Sequence, residues 1–139
     1  MTRYQRKLKK FINFATELAS LSTCQRYTVG CIVFPEDFSI VAAIGYNGPA
    51  KGIHNNSCEG KPGECGCAHA EANAIAKLKE KGPFTMFCTR QPCVACANAI
   101  INSGAIDRFV YGQQYRDPKG TRLLMKAGIE VIGLDEIFS

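Results

Sequence analysis

The chain has 139 residues, 46% of them hydrophobic, which suffices for one domain over residues 1–139 with a sizeable core. Its formal charge of +5 is modest, tryptophan is absent and basic residues do not interleave with aromatics, which argues against a stacking platform for single-stranded nucleic acid. No apolar run reaches membrane-spanning length and the start lacks a signal-like hydrophobic stretch, so a soluble cytoplasmic protein is expected.

In chain order, Arg3 to Leu21 places Leu8, Phe11, Ile12, Ala15, Leu18 and Ala19 at helical spacing. The basic run RYQRKLKK within this segment reads as a solvated helix face. TVGCIVF (28–34) and IVAAIGY (40–46) are short apolar runs around PEDFS and predict an antiparallel hairpin. Residues 47–67 are rich in Gly, Asn, Pro and Cys and read as a loop. His69 to Lys81 predicts a second helix, ended by Gly82 and Pro83. FTMFCT is a strand, Cys93 to Ser103 a helix closed by Gly104, and DRFVYG a strand. GTRLLMKAG and IEVIGL add a helix and a last strand.

Strand and helix alternate after the hairpin, which implies an α/β fold: a mixed sheet with helices on both faces. That topology places chemistry at one sheet edge. The second strand runs toward the edge where the long loop sits and the second helix begins. The third strand returns to the same edge, where the third helix begins. His69 and Cys93 should therefore converge there, near the start of the first strand and Cys24.

Eight cysteines in CxxC and CxC clusters need an explanation. In an intracellular chain with a core of its own, they argue for metal rather than disulfides. HAE and PCVAC supply His69, Cys93 and Cys96, the two cysteines sharing one helix face at i and i+3. Pro92 suits a helix start, where its missing N–H is no loss. PCVAC alone could be half of a zinc ribbon. Three N/S ligands with an open fourth position instead describe a catalytic zinc site, and Glu71 can then reach the bound water without ligating the metal. Cys31 and Cys88 lie in apolar strands and read as buried hydrophobes. Cys24, Cys58, Cys65 and Cys67 share the active edge. Four sulfurs, or three with His54, would close a second, structural zinc site and order the long loop.

The pairing of H-x-E with P-C-x-x-C is the known signature of zinc-dependent base deaminases. The sequence resembles the deoxycytidylate deaminase family over nearly its whole length, through STCQRYTVGCIV, AIGYNGPAKG, HAEANAI, TRQPCVACANAIINSGAIDRFVYG, YRD and LLMKAGIEVI. CxRxxVG before the first strand and GYNG after the second set that family apart from tRNA adenosine deaminases, which share the zinc motif. The resemblance implies a three-layer αβα sandwich around a mixed five-stranded sheet, and hydrolysis of a deoxycytidine nucleotide, dCMP to dUMP and ammonia. It implies a small-molecule nucleotide partner, a homo-oligomer, no membrane and no nucleic acid. It makes Glu71 the proton carrier, Asn47 the sugar contact and Tyr115 an aromatic near the base. Arg26 follows Cys24 at the active edge and is the candidate phosphate clamp, with Arg116 second. A polynucleotide base deaminase is the alternative function. A non-catalytic zinc module is disfavoured because it has no use for Glu71.

Overall fold

The computed structural model describes residues 1–24, 27–54, 58, 60, 65–113 and 117–135. Helix α1 (Arg3–Ala19) opens on a reciprocal cap. The Thr2 hydroxyl accepts from the Gln5 N–H, and the Gln5 side chain accepts from the Thr2 N–H. Its buried residues Leu8, Ile12, Ala15 and Ala19 form the stripe that the spacing predicts. The elements that follow are β1 (Gly30–Pro35), β2 (Ala43–Tyr46), α2 (Ala70–Ile75), β3 (Phe84–Arg90), α3 (Val94–Ser103), β4 (Ile106–Gln113), α4 (Lys119–Lys126) and β5 (Glu130–Gly133).

The sheet order is β2-β1-β3-β4-β5. β1 pairs antiparallel with β2 and β3, whereas β3, β4 and β5 run parallel. Alternation along each strand divides the core into two. Ile32, Phe34, Phe87 and Val110 meet Leu8, Ile12 and Ala15 of α1 on one face. Cys31, Val33, Met86, Cys88, Phe109 and Tyr111 meet α2, α3 and α4 on the other, through Ala70, Ala74, Ala97, Ile100 and Leu124. The result is the three-layer αβα sandwich expected. No helix among the described residues is long and apolar enough to cross a membrane.

Most boundaries shift by one or two residues from the sequence reading, and two differ by more. β2 begins at Ala43 rather than Ile40, and Ile40 and Val41 are exposed. The PEDFS turn causes this. Ser39 bonds back to Asp37, and Phe38 adopts a φ of 57° while its ring packs beside Phe11, Phe34 and Phe87. The chain straightens only after that anchor. α2 ends at Ile75 rather than Lys81, because Lys77 N and Leu78 N bond three residues back and tighten the chain. The Lys77 ammonium then donates to the Ile44 carbonyl at 2.9 Å, and Asn73 Nδ2 donates to Tyr46 at 2.9 Å. These two side chains cover carbonyls of the edge strand β2, which would otherwise invite strand pairing.

Gly45 allows α2 to sit directly on β2. A Cβ there would strike the Ala70 carbonyl and lie 2.7 Å from the Ala74 nitrogen. Gly45→Ala must therefore push the helix off the sheet. Overpacking of this kind costs about 1–3 kcal/mol, and urea unfolding should register it as a lowered midpoint. An unchanged midpoint would show that α2 has room to spare.

Candidate active site

His69 and Cys93 both stand at helix starts. His69 precedes α2 in extended conformation and makes no side-chain cap, so its ring is available to face the cysteines. Its backbone is fixed from behind by a two-way bridge between Gly48 and Ala68, with N···O distances of 3.1 and 2.7 Å. Cys93 is the cap of α3, its sulfur accepting from the Cys96 N–H at 3.4 Å. Pro92 stands one residue before the cap. The sulfur takes the cap role that spacing alone cannot reveal. Gly120 at the start of α4 lies against this turn, since a Cβ there would strike the Pro92 carbonyl and come within 2.9 Å of that of Cys93.

The three expected ligands meet. His69 Nδ1 lies 3.1 Å from Cys96 Sγ and 3.6 Å from Cys93 Sγ. Tetrahedral zinc with ordinary Zn–N and Zn–S bonds places such atoms about 3.6 Å apart, so the triangle fits the metal in size and donor type. Glu71 is buried at 5% exposure in the first turn of α2. Burial raises its carboxyl above the usual range. Hydrogen bonds from Cys96 and His69 hold Cys93 down to about 4, and the same pairing raises Cys96. His69 is raised first by its bond with Cys93. The arrangement can hold a cation on three ligands and keep beside it a carboxyl that burial makes a stronger base.

A second cluster forms as expected in kind. Cys24, Cys58, Cys65 and Cys67 bring their sulfurs within 4.8 Å of one another. Cys24 lies 4.0 Å from Cys65 and 3.8 Å from Cys58, close to the roughly 3.8 Å edge of a tetrahedral zinc–thiolate site. Burial, with hydrogen bonds that its thiol donates to Cys58, Cys24 and Cys65, raises Cys67. The set is four sulfurs; the alternate ligand His54 is exposed and stands outside it. Cys31 and Cys88 are fully buried cross-strand neighbours beneath Glu71, and burial raises both thiols.

A small cavity opens over the triangle, walled by Tyr27, Asn47, His69, Glu71, Arg90 and Cys93 among others. Asn47 is buried, and its amide is committed to the backbone. Its oxygen accepts from the Val29 N–H at 2.7 Å, and its nitrogen donates to the Tyr27 carbonyl at 2.8 Å. The expected sugar contact is thus also the clamp that shapes the wall. One N–H of the amide and one lone pair of its oxygen remain for a ligand. Arg90 was not legible as a site residue, although it stands three positions before Cys93 in TRQPC. Arg26, Tyr115 and Arg116 lie outside the described residues.

Known proteins resemble this chain in sequence and fold. The family described as the cytidine and deoxycytidylate deaminase zinc-binding region matches residues 5–113. A deoxycytidylate deaminase of Saccharomyces cerevisiae is 35% identical over 135 residues, covering 87% of this chain and 42% of the yeast protein. The chain thus spans less than half of that relative's length. A deoxycytidylate deaminase of Mycobacterium phage D29 is 35% identical over 121 residues, covering 75% of this chain and 92% of the phage protein. The crystal structure of a dCMP deaminase from cyanophage S-TIM5, in complex with dCMP and dUMP, superposes with a TM-score of 0.81 at 31% identity. It covers 96% of this chain and 98% of that one.

The Asn47 clamp predicts a measurable cost. Asn47→Ala strands the buried Val29 N–H, together with the Tyr27 carbonyl, and should lower unfolding free energy by about 1–3 kcal/mol in urea titration. Unchanged stability would mean that water replaces both bonds.

Proposed function

Because the chain belongs to the cytidine and deoxycytidylate deaminase family, we propose that it hydrolyses dCMP to dUMP and ammonia. The observation that carries the reading is the His69, Cys93 and Cys96 triangle with Glu71 buried beside it inside the cavity. The enzymes of phage D29 and cyanophage S-TIM5, which this chain matches over 92% and 98% of their lengths, support the nucleotide.

In this proposal His69, Cys93 and Cys96 hold a zinc ion. When bound, zinc supplies a Lewis acid that brings the pKa of water from 15.7 to about 7. Glu71 takes the water proton onto its carboxylate and delivers a proton to ring N3 of the cytosine. The water oxygen joins C4, Glu71 takes the second proton from that oxygen and passes it to the exocyclic nitrogen, and the bond from C4 to that nitrogen breaks to release ammonia and leave the C4 carbonyl. Burial suits Glu71 to this work, since a carboxylate raised above its usual range is a stronger base toward the water proton and holds it for transfer to ring N3. Asn47 meets the sugar with its amide group. The family resemblance assigns Tyr115 to the base, and Arg26 is the candidate for the phosphate.

We assign the four cysteines Cys24, Cys58, Cys65 and Cys67 to a second zinc of structural role. The sulfur separations support it, as does the length of the stretch between β2 and α2, whose described residues form no helix or strand of their own.

Two outcomes test the proposal. Glu71→Gln should retain zinc yet lower kcat for dCMP by roughly 10²–10⁴-fold, because only proton transfer is lost. Activity within about tenfold of wild type would remove Glu71 from the chemistry. Elemental analysis should find about two zinc ions per chain, falling to about one in Cys58→Ser. One zinc in an active wild-type preparation would remove the structural site.

A further inference from the structure

Arg90 ends β3 in a rigid setting. It is paired across the sheet with Gln113, and the next residue, Gln91, donates its N–H to the Gln113 carbonyl at 3.0 Å. Its guanidinium carbon lies 4.8 Å from the centre of the Tyr27 ring. Among the described residues it has no carboxylate partner, and it is the one arginine or lysine that lines the cavity over the triangle.

Those facts call for a ligand. Stacking occupies only the flat face of a guanidinium, and its N–H donors project from the edge, where they match the paired oxygens of a phosphate. Among the described residues no carboxylate offsets the desolvation of this half-buried charge, and an anion would do so. The stack is itself braced, since Asn47 holds the main chain of Tyr27 from behind. Cys93 follows Arg90 by three residues, at most about 10 Å of extended chain. A ligand whose amino group sits at the triangle can therefore place an anion at the other end of the same wall.

We propose that Arg90 reads the 5′-phosphate of the substrate and, stacked on Tyr27, sets the preference for nucleotide over nucleoside. The assignment rests on the reading of dCMP as substrate. It adds to Arg26 a second cation, one whose position the sheet and the Tyr27 ring define.

The test is steady-state kinetics of the full chain with dCMP and with deoxycytidine, for wild type, Arg90→Ala, Arg90→Gln, Arg90→Lys and Arg26→Ala. Arg90→Ala should raise KM for dCMP by roughly tenfold to a hundredfold with kcat within about threefold, the mark of a lost uniform contact to a charged group. The kcat/KM for deoxycytidine should stay within about threefold. Arg90→Gln keeps a long polar side chain and should give the same split, which guards against a folding defect in the alanine variant. Arg90→Lys should recover only part of the loss, since it keeps the charge without the planar fork. Equal damage to both substrates in the alanine and glutamine variants would make Arg90 a wall residue and overturn the assignment. So would an unchanged KM for dCMP while Arg26→Ala carries the whole loss. Wild-type protein that shows no preference for dCMP over deoxycytidine would overturn the substrate reading itself, and the assignment with it.

Discussion

The separations of 3.1 and 3.6 Å between the His69 ring nitrogen and two cysteine sulfurs demand that α2 and α3 start at one point. Much of the remaining architecture serves that requirement. β2 and β3 are both antiparallel to β1 and so end at the same sheet edge, and each feeds the helix that carries part of the triangle. A metal site tolerates only small errors in ligand position, so the helices must be seated without slack. Gly45 under α2 and Gly120 against the Pro92–Cys93 turn remove the side chains that would hold these elements apart. The apolar layer of Ala70, Ala74, Ala97 and Ile100 presses both helices onto Cys31, Val33, Met86 and Cys88.

Charge is managed by the same packing. Glu71 stands at the boundary between that core and the cavity, with two fully buried thiols below it and the triangle beside it. Thiols suit that floor because they fill space like small hydrophobes and carry no charge when burial raises them. The carboxyl is consequently the ionisable group there whose proton is readily moved. Cys93 is the opposite case, a sulfur at a helix start that receives hydrogen bonds from Cys96 and His69 and is held at about 4. One small region thus contains a thiolate ready to ligate and an acid able to exchange a proton.

The wall of the cavity depends on Asn47. One buried amide ties the segment before β1 to the end of β2, through Val29 and Tyr27. The four-cysteine cluster gathers Cys24 from that same segment and three sulfurs from the long loop, so the two halves of the wall are drawn together at a second point. Tyr27 stands between these anchors and presents its ring to Arg90.

Read alone, the sequence determined the order and type of the elements, the mixed sheet, and the two helix starts that carry His69, Glu71, Cys93 and Cys96. It did so because apolar period, glycine and proline punctuation and ligand spacing are local properties, written within a few residues of one another. It also brought Cys24, Cys58, Cys65 and Cys67 to one edge, since the strand directions place all four there. The end of α2, the start of β2 and the capping sulfur of Cys93 were decided by tertiary contacts: the Lys77 bond to Ile44, the Phe38 ring among its aromatic neighbours and the turn at Pro92. Asn47 as a clamp and Arg90 as part of the wall belong to the same class. Their partners lie 18 to 63 positions away in the chain, and no local pattern encodes a hydrogen bond or a ring stack that exists only once the sheet has brought both sides together.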